Sequence, residues 1–216
     1  MNLGAVLAFD LDGTLLDARG RQVAVLLRAC RAMHEPAPDI DRFWAFKREG
    51  ESTRASLERL GVAAGRAKRL ADWWIEHIED SAGLALDQVL SGAVEALEMC
   101  KRRGLTVNVI TARAHPEAVL SQIHQLPLRR VIDDVLVVSP AYAASEKALH
   151  LARWNAVVMV GDTESDARAA TLAGIPFLAV SCGQRSEPYL RAVTPSVFAD
   201  AQSAVQAWLQ AYGEVE

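Results

Sequence analysis

Hydrophobic positions in this chain follow two distinct patterns. Five short runs, at 5–9, 106–110, 135–138, 156–160 and 176–180, are apolar and β-branched almost without interruption. Continuous apolar character over so few residues predicts strands buried on both faces, as in a parallel sheet. Between the last four runs lie segments with helical spacing, among them 116–125, 145–154 and 165–173. Strands alternating with helices predict βαβ units. Several runs end at a polar residue that opens a turn: Asp10, Thr111, Ser139, Asp162 and Ser181. Right-handed crossovers place these ends on one edge of the sheet, the edge where open α/β sheets bind ligands.

The second pattern follows the first strand. A βαβ unit returns to the sheet within about thirty residues, yet here the next strand begins near Thr106. The stretch between reads as helices at 21–33, 40–48, 53–60 and 64–80, with Asp39 and Ser52 as caps and Gly50 and Gly61 as stops. The expected fold is therefore α/β, a Rossmann-like parallel sheet with helices on both faces. A small α-helical cap domain is inserted after the first strand. The expected division is a core of 1–16 and 91–216 and a cap of 17–90. A helix beginning at 91–97 leads back to the core, and 201–209 forms a closing helix.

Composition narrows the setting. The chain has 216 residues, 51% hydrophobic and 23% charged, within the range of folded globular domains. A net charge of −4 gives no basic footprint for nucleic acid. The first apolar run is too short for a membrane span and is broken by Asp10 and Asp12, unlike a signal peptide. Cys30, Cys100 and Cys182 are odd in number and far apart, so no disulfide framework is expected. These features point to a cytoplasmic protein whose cysteines are small core residues.

Candidate chemistry gathers on the predicted edge. The first strand runs into Asp10-Leu11-Asp12-Gly13-Thr14. Thr111 ends the second strand, Lys147 sits early in the 145–154 helix, and Gly161-Asp162-Thr163-Glu164-Ser165-Asp166 follows the fourth strand. Taken singly, Asp10 and Asp12 also suit a turn and a helix N-cap, and Lys147 a solvated surface. Together they bring several carboxylates, a hydroxyl and an ammonium around one point. Hard oxygen ligands in such a set suit Mg²⁺ shared with a phosphate group.

These four motifs, in this order and spacing, resemble those of the haloacid dehalogenase superfamily, and the resemblance spans nearly the whole chain. The insertion after the first motif is similar to the type 1 helical cap of phosphoglycolate phosphatase-like members. The resemblance implies that Asp10 is the nucleophile and Asp12 the acid/base, with its backbone carbonyl facing the metal. It implies that Thr111 bonds the transferring phosphoryl group and Lys147 neutralises charge beside the nucleophile. Asp10, Asp12, Asp162 and Asp166 are the implied metal set, and Gly13 offers its N–H to phosphate. Dehalogenases of the superfamily lack the Asp at position 12, so its presence here implies phosphoryl transfer.

Ala112 and Arg113 beside Thr111, and Lys47, Arg48 and Arg54 in the insertion, are candidate substrate contacts. The cationic trio suits an anionic leaving group, or else forms a solvated loop. The expected activity is Mg²⁺-dependent hydrolysis of a small phosphorylated metabolite through an aspartyl phosphate. A phosphomutase is the alternative, with a phosphonatase using Lys47, or a binding protein, behind it.

Overall fold

The computed structural model describes residues 4–213; residues 1–3 and 214–216, assigned above to the core, lie outside the described residues. In chain order the elements begin with β1 (Val6–Phe9) and the two-residue β2 (Leu16–Asp17). Helices α1 (Arg19–Ala32), α2 (Ile40–Arg48), α3 (Thr53–Arg59), α4 (Ala64–His77) and α5 (Ser81–Leu84) follow, then β3 (Gln88–Val89). The remainder is α6 (Ala93–Arg102), β4 (Thr106–Ala112), α7 (Pro116–Gln125), β5 (Asp134–Val138), α8 (Ala143–Arg153), β6 (Ala156–Gly161), α9 (Glu164–Ala173), β7 (Phe177–Val180), α10 (Glu187–Arg191), β8 (Val197–Phe198) and α11 (Ala201–Gly213).

Six strands pair in the order β5-β4-β1-β6-β7-β8, every pair parallel. The sheet grows outward from β1 in both directions, which makes β1 the switch point where α/β sheets open a ligand crevice. Alternate residues of β1 serve opposite faces. Leu7 and Phe9 join a large core with Leu97, Val107, Val109 and Val205. Ala8 joins a smaller one with Ile110, Leu151, Met159 and Ala169. The inserted helices enclose a third core of Leu26, Cys30, Phe43, Leu57 and Leu70. That separate apolar cluster lets the insertion hold its own shape while strands β2 and β3 tie its two ends together as an antiparallel ribbon.

Local rules account for most boundaries. Asp39 and Ser52 cap α2 and α3, accepting from the backbone N–H groups of Arg42 and Ala55. The helix expected to run to residue 80 ends at His77 instead. The Asp80 carboxylate is drawn to Arg28 at 3.0 Å, and a new turn of helix starts at Ser81. Strand β4, expected to end at Thr111, continues one residue further to Ala112. Strands β2, β3 and β8 have two residues each, too short to show any periodicity.

Candidate active site

Four motif residues meet beyond the carboxyl ends of β1 and β6. Asp10, Lys147, Asp162 and Asp166 are all buried. The Lys147 ammonium donates to Asp10 Oδ1 and to Asp166 Oδ1, both at 2.6 Å. Asp166 is fixed from its other side, because Oδ2 accepts from the Thr163 N–H at 3.2 Å and hydroxyl at 2.7 Å, the capping box that starts α9. Asp162 Oδ2 accepts from the Gln184 N–H at 2.5 Å. Gly13 (φ +82°) and Gly183 press against that carboxylate, and a Cβ at either would collide with it. Only glycine serves at Gly13, where positive φ and close approach coincide.

Three carboxylates share one ammonium, and the imbalance shows in their acidities. Burial, opposed by Lys147 and reinforced by Asp166, pushes the Asp10 carboxyl up to about 7. Burial, then Asp10 and Asp166, push Asp162 well above the usual carboxylate range. Burial alone would lower Lys147, but Asp10 and Asp166 outweigh it and hold the ammonium charged. Oxygen atoms of Asp10, Asp162 and Asp166 lie within 4.8 Å of one another. Asp162 Oδ1 is buried with no hydrogen-bond partner. An orphaned carboxylate oxygen, all-oxygen donors and excess negative charge fit a hard divalent cation.

Asp12 is sent elsewhere. Its carboxylate is gripped by Arg113, Nε to Oδ2 and Nη2 to Oδ1 at 2.6 Å each, and by Arg21 Nη2 at 2.8 Å. Behind them Asp87 lies 3.1 Å from Arg21 Nε, and its Oδ2 accepts from Gln122 at 2.8 Å. Burial would raise the Asp12 carboxyl, but Arg113 and Arg21 overcome it and hold it well below the usual range. Asp87, with weaker compensation, is pushed by burial up to about 6. The side chain of Asp12 therefore lies outside the carboxylate cluster, so only its backbone carbonyl remains for the metal role expected of it. The Gly13 N–H donates to the Leu16 carbonyl at 2.7 Å. It is thereby taken from the phosphate-binding role expected of it, because the tight turn after β1 uses that donor itself.

The expected substrate contacts separate. Thr111 is buried near the end of β4, and Ala112 pairs in register with Val138 at that strand's end. Lys47 is buried at the end of α2, its Nζ 3.3 Å from Thr53 Oγ1 and 5.2 Å from the centre of the Trp74 ring. Burial, with Arg185 nearby, lowers this ammonium to about 8. Arg48 instead latches the insertion to the core, donating to the carbonyls of Gly183 and Ser181 at 2.8 Å each. Arg185 answers from the core, donating to the Lys47 carbonyl at 2.9 Å while paired with Glu164 at 2.7 Å. Arg54 pairs with Glu58 on an exposed face of α3 and is not brought to the site. Trp73 and His77 stack at 3.7 Å, one turn apart, while Trp74 faces away from that pair to donate to the Gln22 carbonyl.

Arg21, Asp87 and Gln184 have no counterpart in the sequence reading. The return of the insertion to the core brings in Arg21 and Asp87, whereas Gln184 comes from the loop after β7 on the same sheet edge.

A parallel α/β sheet, a helical insertion after β1 and this carboxylate–ammonium cluster define a class of hydrolase. Residues 5–174 match the model of the haloacid dehalogenase-like hydrolases, and the chain belongs to that family. It is 29% identical to a phosphoglycolate phosphatase of Caulobacter vibrioides, over 86% of this chain and 82% of that protein. It is 27% identical to a phosphoglycolate phosphatase of Mesorhizobium japonicum, over 88% of each. Among solved structures, a haloacid dehalogenase-like hydrolase from Streptococcus pneumoniae superposes over the full length of both chains with a TM-score of 0.75 at 17% identity, a likeness of fold.

Proposed function

We propose that this chain is a Mg²⁺-dependent phosphatase that cleaves small phosphomonoesters through a phosphorylated Asp10. The observation that carries the reading is the buried cluster of Asp10, Lys147, Asp162 and Asp166, with Asp12 held beside it but apart. The names of the two phosphatase relatives support it.

A carboxylate oxygen of Asp10 attacks phosphorus, and the bond from phosphorus to the alcohol oxygen breaks. The departing oxygen takes up a proton that Asp12 has first drawn from solvent, a step that requires its arginine contacts to part. Water then attacks phosphorus, giving its proton to Asp12, and free phosphate leaves as Asp10 is restored. The arginine-bound, ionised Asp12 of this structure is the form that accepts a proton from that water. Lys147 holds one Asp10 oxygen and thereby orients the other. Thr111 contacts the phosphoryl oxygens from the end of β4. Asp10, Asp162 and Asp166, with the backbone carbonyl of Asp12, hold the cation. When bound, Mg²⁺ offsets the repulsion between an anionic nucleophile and an anionic ester.

In the same reading, 17–90 is a cap that covers the site of a core made of 1–16 and 91–216, and Lys47 faces the leaving group. The protein acts in the cytoplasm on a phosphorylated metabolite, in the manner of the relatives' named activity. The test is phosphate release from p-nitrophenyl phosphate with and without Mg²⁺, and without any bisphosphate activator. Turnover is expected, with loss on chelation and a drop of at least about 10⁴-fold in Asp10→Asn. Activity surviving in Asp10→Asn removes the nucleophile assignment, and an absolute need for a bisphosphate turns the reading toward a mutase.

A further inference from the structure

The buried network behind Asp12 is paired in a way that leaves atoms to spare. Arg21, Asp87 and Arg113 are each at least nine-tenths buried. Both guanidinium groups are spent on Asp12, Arg113 through Nε and Nη2 at 2.6 Å each and Arg21 through Nη2 at 2.8 Å. Asp87 lies beside both arginines, yet neither donates a hydrogen bond to it. Its Oδ1 is 3.1 Å from Arg21 Nε, but the two are out of line and neither atom has a hydrogen-bond partner. Its Oδ2 is 3.7 Å from Arg113 Nη2, and Arg113 Nη1 is also buried without a partner. Buried polar atoms are rarely left unpaired. Three orphans in one network, on two arginines and the acid beside them, point to a second arrangement in which they pair.

That arrangement is close at hand. Asp87 is pinned from the core, where Gln122 Nε2 donates to its Oδ2 at 2.8 Å and to the Leu84 carbonyl at 3.0 Å. The arginines are therefore the groups that move, and a shift of less than about 1 Å brings either to Asp87 in hydrogen-bond geometry. Protonation of Asp12 supplies the cause, because a neutral carboxyl holds a guanidinium far less strongly than a carboxylate does. A buried guanidinium does not give up its charge, so it turns to another carboxylate. Glu79, a further acid on the same wall, has both oxygens committed to the N–H groups of Ala114 and His115. Asp87 is the acid left to receive the two arginines.

Resting on the phosphatase reading, we propose that Asp87 is a positioning residue for the acid/base. It takes over Arg21 and Arg113 when Asp12 is protonated, and so frees Asp12 to present its proton to the departing oxygen. Asp87 touches no reacting atom and works only through the two arginines. The proton passes from the Asp12 carboxyl to the alcohol. The guanidinium groups then return to the Asp12 carboxylate, the form seen here, which takes the next proton from water.

Two measurements on the whole chain test the exchange. The first is a crystal structure of Asp12→Asn, whose neutral amide stands for the protonated acid. Arg21 Nε and Arg113 Nη2 are expected to donate to Asp87 there, at about 3 Å. Guanidinium groups still held by residue 12 overturn the proposal. The second compares kcat/KM for p-nitrophenyl phosphate and benzyl phosphate with Mg²⁺. This constant reads the steps up to departure of the alcohol. Nitrophenolate leaves without a proton, whereas the benzyl alcohol needs one. Asp87→Asn leaves Asp12 as the one buried carboxylate for both arginines. The preference for p-nitrophenyl phosphate is therefore expected to widen by about 10-fold over the wild type, and in Asp12→Asn by about 100-fold, the scale of general acid catalysis. Both esters are read on one preparation, so partial unfolding of a variant leaves the ratio unmoved. An Asp87→Asn ratio equal to that of the wild type overturns the proposal and leaves Asp87 as a structural counter-ion. If the wild type hydrolyses neither ester while the guanidinium groups move in Asp12→Asn, the phosphatase reading fails and the exchange stands.

Discussion

The two sides of the cleft differ in how their buried charges are matched. On the core side, three buried carboxylates share one ammonium, a formal excess of two negative charges. On the insertion side, Arg21 and Arg113 meet Asp12, Asp87 and Glu79, and Lys47 stands beside the Arg185–Glu164 pair, so cations and carboxylates balance. A buried charge without a partner is expensive, so the core side is built for the cation it lacks.

Removing the one cation from the core side tests that contrast most severely. Lys147→Met leaves Asp10 and Asp166 facing each other without a counter-charge. Breaking a buried pair in this way destabilises by about 3–5 kcal/mol. Urea unfolding without added metal is expected to show that loss. Added Mg²⁺ should restore more stability to the variant than it adds to the wild type, since it replaces the missing charge. Equal Mg²⁺ responses would mean that the carboxylates do not form one electrostatic unit.

On the opposite side, removing a charge should stabilise. Burial lowers the Lys47 ammonium from 10.5 to about 8, so folding carries a penalty for protonating it. Below pH 8 the lysine is charged in both the folded and unfolded states, and the penalty is complete. As the pH rises from 8 towards 10.5 the folded lysine loses its proton while the unfolded one keeps it, so stability rises with pH over that interval. Lys47→Met should therefore be more stable at pH 7, by up to ~3 kcal/mol, with the gap closing by about pH 10.5. Melting temperatures measured across that range check it. A variant less stable than the wild type at pH 7 would show that the Trp74 and Thr53 contacts outweigh desolvation.

Metal titration sharpens the comparison further. Ligands that bind only the folded state stabilise by about 2.7 kcal/mol at a hundred times Kd. Mg²⁺ is expected to raise the melting temperature of the wild type accordingly, and Asp162→Asn to abolish the rise. The orphaned Oδ1 of Asp162 is the atom whose charge that substitution removes. An undiminished rise would place the cation elsewhere.

The same asymmetry separates what the sequence disclosed from what it hid. Asp10, Lys147, Asp162 and Asp166 were legible because each follows or faces a strand whose apolar run is unmistakable, and parallel topology gathers strand ends on one edge. Arg21 and Asp87 are 66 positions apart, at the two ends of the insertion, and nothing local to either marks it. Their meeting depends on how the helices return through β2 and β3. Arg48 and Arg54 looked alike as cations beside a turn. One helical register turned Arg48 towards the carbonyls of the core and left Arg54 on the exposed face of α3 with Glu58. The Gly13 N–H was misassigned for a related reason: the turn that needs a glycine also consumes its donor.

Arg48 provides the finest probe of how the two sides are held together. Its guanidinium donates to two carbonyls of the loop after β7, and the Ser186 N–H returns a bond to its own carbonyl at 2.9 Å. Gly50 lies against the ring of Tyr189, where a Cβ would collide. That loop also presents the Gln184 N–H to Asp162, so one short segment serves both the latch and the carboxylate cluster. Arg48→Ala removes two charged hydrogen bonds from a partly buried position. It is expected to cost about 1–2 kcal/mol, less than the full value because water replaces part of what is lost. Hydrogen exchange should quicken around residues 47–50 and 181–186 while β1, β4 and β6 keep their protection. Mg²⁺ should slow exchange at Gln184 in the wild type and to a smaller extent in the variant. Uniform quickening across the whole chain would mean that the insertion and the core unfold as one unit, and that the latch joins parts that never separate.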